Sequence, residues 1–81
     1  MNQNDVIVKL QGIFDDIFLE PVKVTPELKA GDVPEWTSLM HISLLIAVEK
    51  GFGIRFRVGE VEKTRNVGEF ADVILRRLEE P

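Results

Sequence analysis

The sequence predicts an all-α domain of three main helices and one short helix, with a long irregular segment between the first two main helices. Three observations carry this. Apolar residues recur at spacings of three and four in three separate segments, the period of a helix with one buried side. Pro21, Pro26 and Pro34, three of the four prolines, fall together between the first two of those segments. Only Phe52 to Arg57 alternates apolar and polar residues at period two, and a lone strand cannot form a sheet.

The first helix is expected from about Asn4 to Leu19. Val6, Leu10, Ile13 and Ile17, reinforced by Phe14 and Phe18, share one side of it. Asn2 or Asn4 can cap its start, and Pro21 ends it, because the residue before a proline avoids helical angles. From Glu20 to Trp36 no period is sustained. A loop this long in a small domain is often functional, and Val22, Val24, Leu28 and Val33 are expected to pin it to the bundle.

The second helix is expected from Ser38 to about Lys50, with Thr37 as N-cap and Gly51 as the residue that ends it. It is apolar nearly all round and divides into two stripes: His41, Leu44, Leu45 and Val48, and Leu39, Ile42 and Ile46. A helix at the edge of a small bundle buries one stripe fully, so the second is expected to be partly exposed and to mark a partner surface; read on its own, the Leu39–Ile42–Ile46 stripe also fits plain core. Phe52, Ile54 and Phe56 then read as a loop that plugs apolar side chains into the core, and the short helix is expected at about Val58 to Lys63. The last helix has the clearest start: Asn66 caps the first turn and Glu69 reaches back. Val67, Phe70, Ala71, Ile74, Leu75 and Leu78 give its buried face, and Arg76 and Arg77 suit the negative end of its dipole.

The chain has 81 residues, enough for one domain with one small core. Fourteen acidic residues against ten basic ones give a net charge of −4, which disfavours nucleic acid and anionic membrane surfaces. The same charge and the apolar second helix disfavour a helix-turn-helix DNA binder. The absence of cysteine excludes disulfides and Cys-based zinc sites, and one histidine is too few for a typical metal cluster. No apolar run reaches the roughly 20 residues that span a bilayer. The N-terminus is polar and lacks the pattern of a signal peptide, so a cytoplasmic protein is the expectation.

Ser38 is the candidate functional residue. It stands where the irregular segment becomes the second helix, with its hydroxyl expected to face solvent at a helix N-terminus, an end that favours anions. Its local sequence leaves two readings open: a helix-capping serine, or an attachment point for a phosphodiester. A nucleophile–base pair of Ser38 and His41 can be drawn, but no Gly-x-Ser-x-Gly elbow supports it, and His41 belongs to the inward stripe. Glu60, Glu62, Glu69 and Asp72 read as a solvated face.

The whole chain resembles an acyl carrier protein. The most specific stretch is Trp36-Thr37-Ser38-Leu39, followed by Leu44-Leu45-Ile46-Ala47-Val48-Glu49, Phe52-Gly53-Ile54 and the run from Val61 to Glu69. The resemblance implies one carrier domain over residues 1–81 and a 4′-phosphopantetheine arm on Ser38. It also implies no catalytic activity, and as partners a phosphopantetheinyl transferase and acyl-transferring or synthase enzymes. Trp36, Thr37, Leu39, Met40, Ile42 and Ile46 would form the docking surface, and His41, Leu45, Phe52, Ile54 and Ile74 would shelter an apolar cargo.

Two departures stand out. The family signature is Asp-Ser-Leu, and Thr37 occupies the place of the aspartate. The second helix of fatty-acid carriers is strongly acidic, whereas here Glu49 is the only carboxylate and Lys50 offsets it. Together they imply a specialised lipid or secondary-metabolite carrier with its own partners, less dependent on charge steering. An amino-acid or peptidyl carrier and an unmodified, carrier-like interaction module are the alternatives. A monomer is expected, since nothing demands self-association.

Overall fold

The computed structural model describes residues 1–79, and among them every regular element is helical. Helix α1 spans Gln3–Ile17, α2 spans Ser38–Phe52 and α3 spans Val67–Glu79. A single 3₁₀ turn, Ala30–Asp32, lies in the segment that crosses from α1 to α2. Helix α1 packs against both α2 and α3.

The start of α1 is fixed by Asn2. Its side chain accepts the N–H of Asp5 at 2.9 Å, and the Asp5 carboxylate accepts the N–H of Asn2 at 3.1 Å, a reciprocal capping box. The helix therefore opens at Gln3 rather than Asn4. It also closes at Ile17, two residues before the expected Leu19. Phe18 turns to extended angles while its N–H still bonds the Phe14 carbonyl at 2.9 Å. The next two amides, of Leu19 and Glu20, donate to the two oxygens of Glu35 at 3.0 and 3.1 Å. These amides find a carboxylate in the crossing segment, so no further helical turn is needed to satisfy them.

Helix α2 runs past Lys50 and through Gly51 to Phe52, and Gly53, not Gly51, is the terminating glycine. Gly53 takes left-handed angles, φ 69°, which a side chain resists. Gly51 serves packing instead: a Cβ there would lie 3.2 Å from Cδ1 of Ile13, where α1 and α2 approach closely. The extra turn seats Phe52 in the core. The short helix expected at Val58 to Lys63 is absent; these residues form successive turns, with Gly59 at φ 80° interrupting helical geometry.

The core is built from Val6, Leu10 and Phe14 of α1, Leu44 and Val48 of α2, and Val67, Ala71 and Ile74 of α3, all almost wholly buried. Fully burying each large side chain of this kind contributes about 1.5–3 kcal/mol. On α3, Leu78 stays partly exposed and Val73 is buried in its stead. Val24 and Val33 of the crossing segment are buried, with Val22 and Leu28 packed beside them.

Polar ties hold that crossing in place. The Gln11 side chain donates to the Val22 carbonyl at 2.7 Å and accepts the Val24 N–H at 2.9 Å, imitating one rung of a sheet. The first amides of α3, on Val67 and Gly68, donate to the carbonyls of Leu28 and Pro26, both at 2.8 Å. Backbone of the crossing thus satisfies donors that a helix start leaves open. Asn66 completes the cap by accepting the Glu69 N–H at 2.9 Å, and Glu69 reaches back to the N–H of Arg65 at 3.0 Å.

Candidate functional site

Ser38 is the first residue of α2 and is exposed. The cap belongs to Thr37, whose hydroxyl oxygen accepts the Met40 N–H at 3.3 Å and whose carbonyl accepts the His41 N–H at 2.8 Å. The Ser38 hydroxyl is therefore not consumed by capping. It stands beside the positive end of the helix dipole, where the amides of Ser38 and Leu39 lie ahead of the capped Met40. A helix N-terminus of this kind favours an anion.

The shoulder before Ser38 is rigid for local reasons. Trp36 donates its backbone N–H to Val33 at 3.0 Å, and Thr37 donates to Glu35 at 2.9 Å. The Trp36 ring meets Phe14 edge-on with centroids 5.4 Å apart and lies against Phe18 at 6.1 Å. Its indole N–H donates to Nδ1 of His41 at 3.1 Å, and the two rings stack at 23°. His41 is thus held as the Nε2–H tautomer, with Nδ1 already occupied as an acceptor. It is not aimed at Ser38 as a base.

The two stripes of α2 face different environments. Leu44 and Val48 are fully buried, and His41 and Leu45 half-buried. Leu39, Ile42 and Ile46 are 73, 56 and 49% exposed, an apolar surface left open among the described residues. Met40 and Trp36 sit half-buried between the two environments.

The five side chains expected to shelter a cargo are not brought into one cavity. His41 lines a cavity of about 250 Å³ together with Trp36, Leu28, Val61, Val67 and Phe70. Leu45 faces a separate shallow groove beside Phe56 and Val58. Ile54, itself buried, borders a third groove at the C-terminal end of α2. Phe52 is buried, with the Lys9 ammonium 4.8 Å from its ring centroid, and Ile74 is fully enclosed in the core. Sequence reasoning placed Leu28, Val67 and Phe70 in the core without linking them to His41. That link depends on how the crossing segment folds back on α3, which no local pattern encodes.

Among the described residues no group of three or more His, Cys, Asp or Glu side chains could hold a metal ion. Among the described residues no helix is long and apolar enough to cross a membrane.

Comparison with known proteins places this geometry in context. No family model matches the chain. It is similar to the acyl carrier protein of Thermosynechococcus vestitus, 32% identical over 75 residues that cover 91% of this chain and 93% of that protein. It is also similar to the solution structure of holo acyl carrier protein from Geobacter metallireducens. That match has a TM-score of 0.74 and 31% identity, and it covers 95% of this chain and 85% of the other.

Proposed function

The chain belongs to the acyl carrier protein family, whose members are non-catalytic carriers, and from that premise we propose that Ser38 bears a 4′-phosphopantetheine arm on which an acyl group is held as a thioester. The observation that carries the assignment is the division of labour at the head of α2. Thr37 caps the helix and leaves the exposed Ser38 hydroxyl available. The arm, when attached, supplies a terminal thiol for the thioester. The chain supplies the anchor, a dipole that suits the phosphodiester, and a surface that partner enzymes recognise.

The docking surface in this reading is Leu39, Met40, Ile42 and Ile46, with Trp36 and Thr37 at its head. The exposure of Leu39, Ile42 and Ile46 supports it. Cargo shelter is proposed in the cavity beside His41, with Leu28, Val67 and Phe70 as apolar walls. Leu45, Phe52, Ile54 and Ile74 lie outside that cavity and would serve only by moving.

A specialised pathway, in lipid or secondary metabolism, is the finer part of the proposal. It rests on Thr37 at the residue before Ser38 and on a second helix whose sole carboxylate, Glu49, is engaged by the Phe56 N–H at 2.8 Å. The partners are a phosphopantetheinyl transferase and acyl-transferring or synthase enzymes.

The test is intact-mass analysis after incubation with coenzyme A and several transferases. One added arm on wild type and none on Ser38→Ala is expected. An unmodified wild type in every reaction overturns the anchor assignment. The exposed α2 stripe also suits a carrier-like module that binds a partner without any arm; mass analysis of protein from its own source separates the two.

A further inference from the structure

The surface around the C-terminal end of α2 carries the opposite charge to the protein as a whole. The chain is net −4, yet among the described residues the groove there is lined by Lys50, Arg55, Arg57 and Arg77 against one carboxylate, Glu49. The groove is about 870 Å³, with Ile46, Ile54 and Phe56 contributing its apolar part.

Local geometry decides which of these charges face outward. Glu49 is turned inward: its side chain accepts the Phe56 N–H at 2.8 Å and its carbonyl accepts the Ile54 N–H at 3.0 Å. Those two bonds hold the segment after Gly53 extended, so Ile54 and Phe56 pack inward and Arg55 and Arg57 alternate outward. The nearby Glu60 is consumed as well. One oxygen accepts the Arg57 N–H at 3.1 Å, and the other lies 3.4 Å from Nε of Arg77, with both side chains about nine-tenths buried. Glu49 and Glu60 thus hold internal partners and Glu62 lies on the far side of Arg57, while Lys50, Arg55 and Arg57 remain exposed.

This groove continues the apolar stripe. Ser38, Ile42, Ile46 and Lys50 recur every four residues along α2, and twelve residues of helix advance about 18 Å. Ile46 belongs both to the stripe and to the groove. A protein that approaches Ser38 along this face meets Leu39, Ile42 and Ile46 first and a cluster of cations at the far end.

We infer that this face is a docking strip for an acidic protein surface, one that presents an apolar contact to Ile42 and Ile46 and carboxylates to Lys50, Arg55 and Arg57. The inference rests on the carrier reading only for the reason a partner must reach Ser38. The charge arrangement stands without it. Opposite charge at the remote end fixes the direction in which the partner lies along α2 and rejects partners with a basic patch there.

The experiment uses the full, unmodified chain labelled with ¹⁵N. It is titrated with two amphipathic helical peptides that share one leucine face, one with glutamates and one with lysines on the other face. Mixed phosphatidylcholine–phosphatidylglycerol vesicles form a third arm. The glutamate peptide is expected to shift amides between residues 42 and 57 and to bind at least about tenfold more tightly than the lysine peptide, with the difference shrinking as salt rises. Arg55→Glu with Arg57→Glu is expected to reverse the preference while leaving the circular dichroism unchanged, since both side chains are exposed. Equal or tighter binding of the lysine peptide, shifts elsewhere, or no binding of either peptide overturns the inference. Binding to the vesicles alone overturns it too and assigns the groove to an anionic lipid surface. None of these readouts involves the arm, so this inference and the anchor assignment on Ser38 fail independently.

Discussion

Trp36 and His41 form one unit across the junction of the crossing segment and α2: the indole N–H donates to Nδ1 at 3.1 Å and the two rings stack at 23°. The chain contains one tryptophan and one histidine, so this pair can be observed without interference. His41→Phe keeps an aromatic ring beside Trp36 and removes the acceptor. The expected cost is about 1 kcal/mol, a fall in Tm of about 4–8 °C for a domain of this size, with a change in Trp36 emission.

The two hydroxyl residues at the head of α2 have separable roles. Thr37→Ala removes the side chain that accepts the Met40 N–H and should cost about 1 kcal/mol in urea unfolding. Ser38→Ala removes an exposed group that caps nothing, so stability should change by no more than about 0.5 kcal/mol. Only the Ser38 variant should refuse the arm in intact-mass analysis. Equal destabilisation by both would mean that Ser38 shares the cap.

Gly68 is confined by the crossing segment. A Cβ there would lie 3.1 Å from the Pro26 carbonyl oxygen and 3.2 Å from the Pro26 Cβ. Gly68→Ala would normally favour a helix, but here it crowds the carbonyl that accepts the Gly68 N–H. Destabilisation of about 1–3 kcal/mol is expected from overpacking, read from the midpoint of urea unfolding. A stabilised variant would show that the crossing yields.

Gln11→Leu tests the tie between α1 and the crossing. It leaves the Val24 N–H without its acceptor on a buried residue, at an expected cost of about 1–3 kcal/mol. Amide exchange should accelerate at Val24 while the centre of α1 keeps its protection. Unchanged exchange at Val24 would rule out Gln11 as the clamp.

The helices were legible because their signals are local. Leu10 and Phe14 on one side of α1, Thr37 before α2 and Asn66 with Glu69 before α3 each announce structure within a turn or two of chain. The errors share a different origin. Gly51 reads as a helix stop, yet whether a glycine ends a helix or lets two helices approach depends on Ile13, far away in sequence. Val58 to Lys63 is short enough for a positive-φ Gly59 to decide it. Gln11 and Glu35 carry no periodic signal, because each bonds backbone more than ten residues away. At the candidate site, counting stripes on α2 separated Leu39, Ile42 and Ile46 from the other apolar set, but taken alone that stripe also reads as plain core, and the family resemblance was needed to turn it outward. The grouping of His41 with Leu28 and Phe70 did not, because it is made by the return of the crossing onto α3.

The ties made by Gln11, by Glu35 and by the Pro26 and Leu28 carbonyls share one property: all of them bypass α2. Among the described residues, the side chains of α2 reach the rest of the fold through an apolar seam and two polar links, His41 to Trp36 and Glu49 to Phe56. Helix α2 is therefore the exchangeable cassette of this chassis. A chimera that imports a foreign α2 should still assemble if it retains the inward seam, Gly51 and those two side chains, so this family could diversify its clientele without rebuilding its frame.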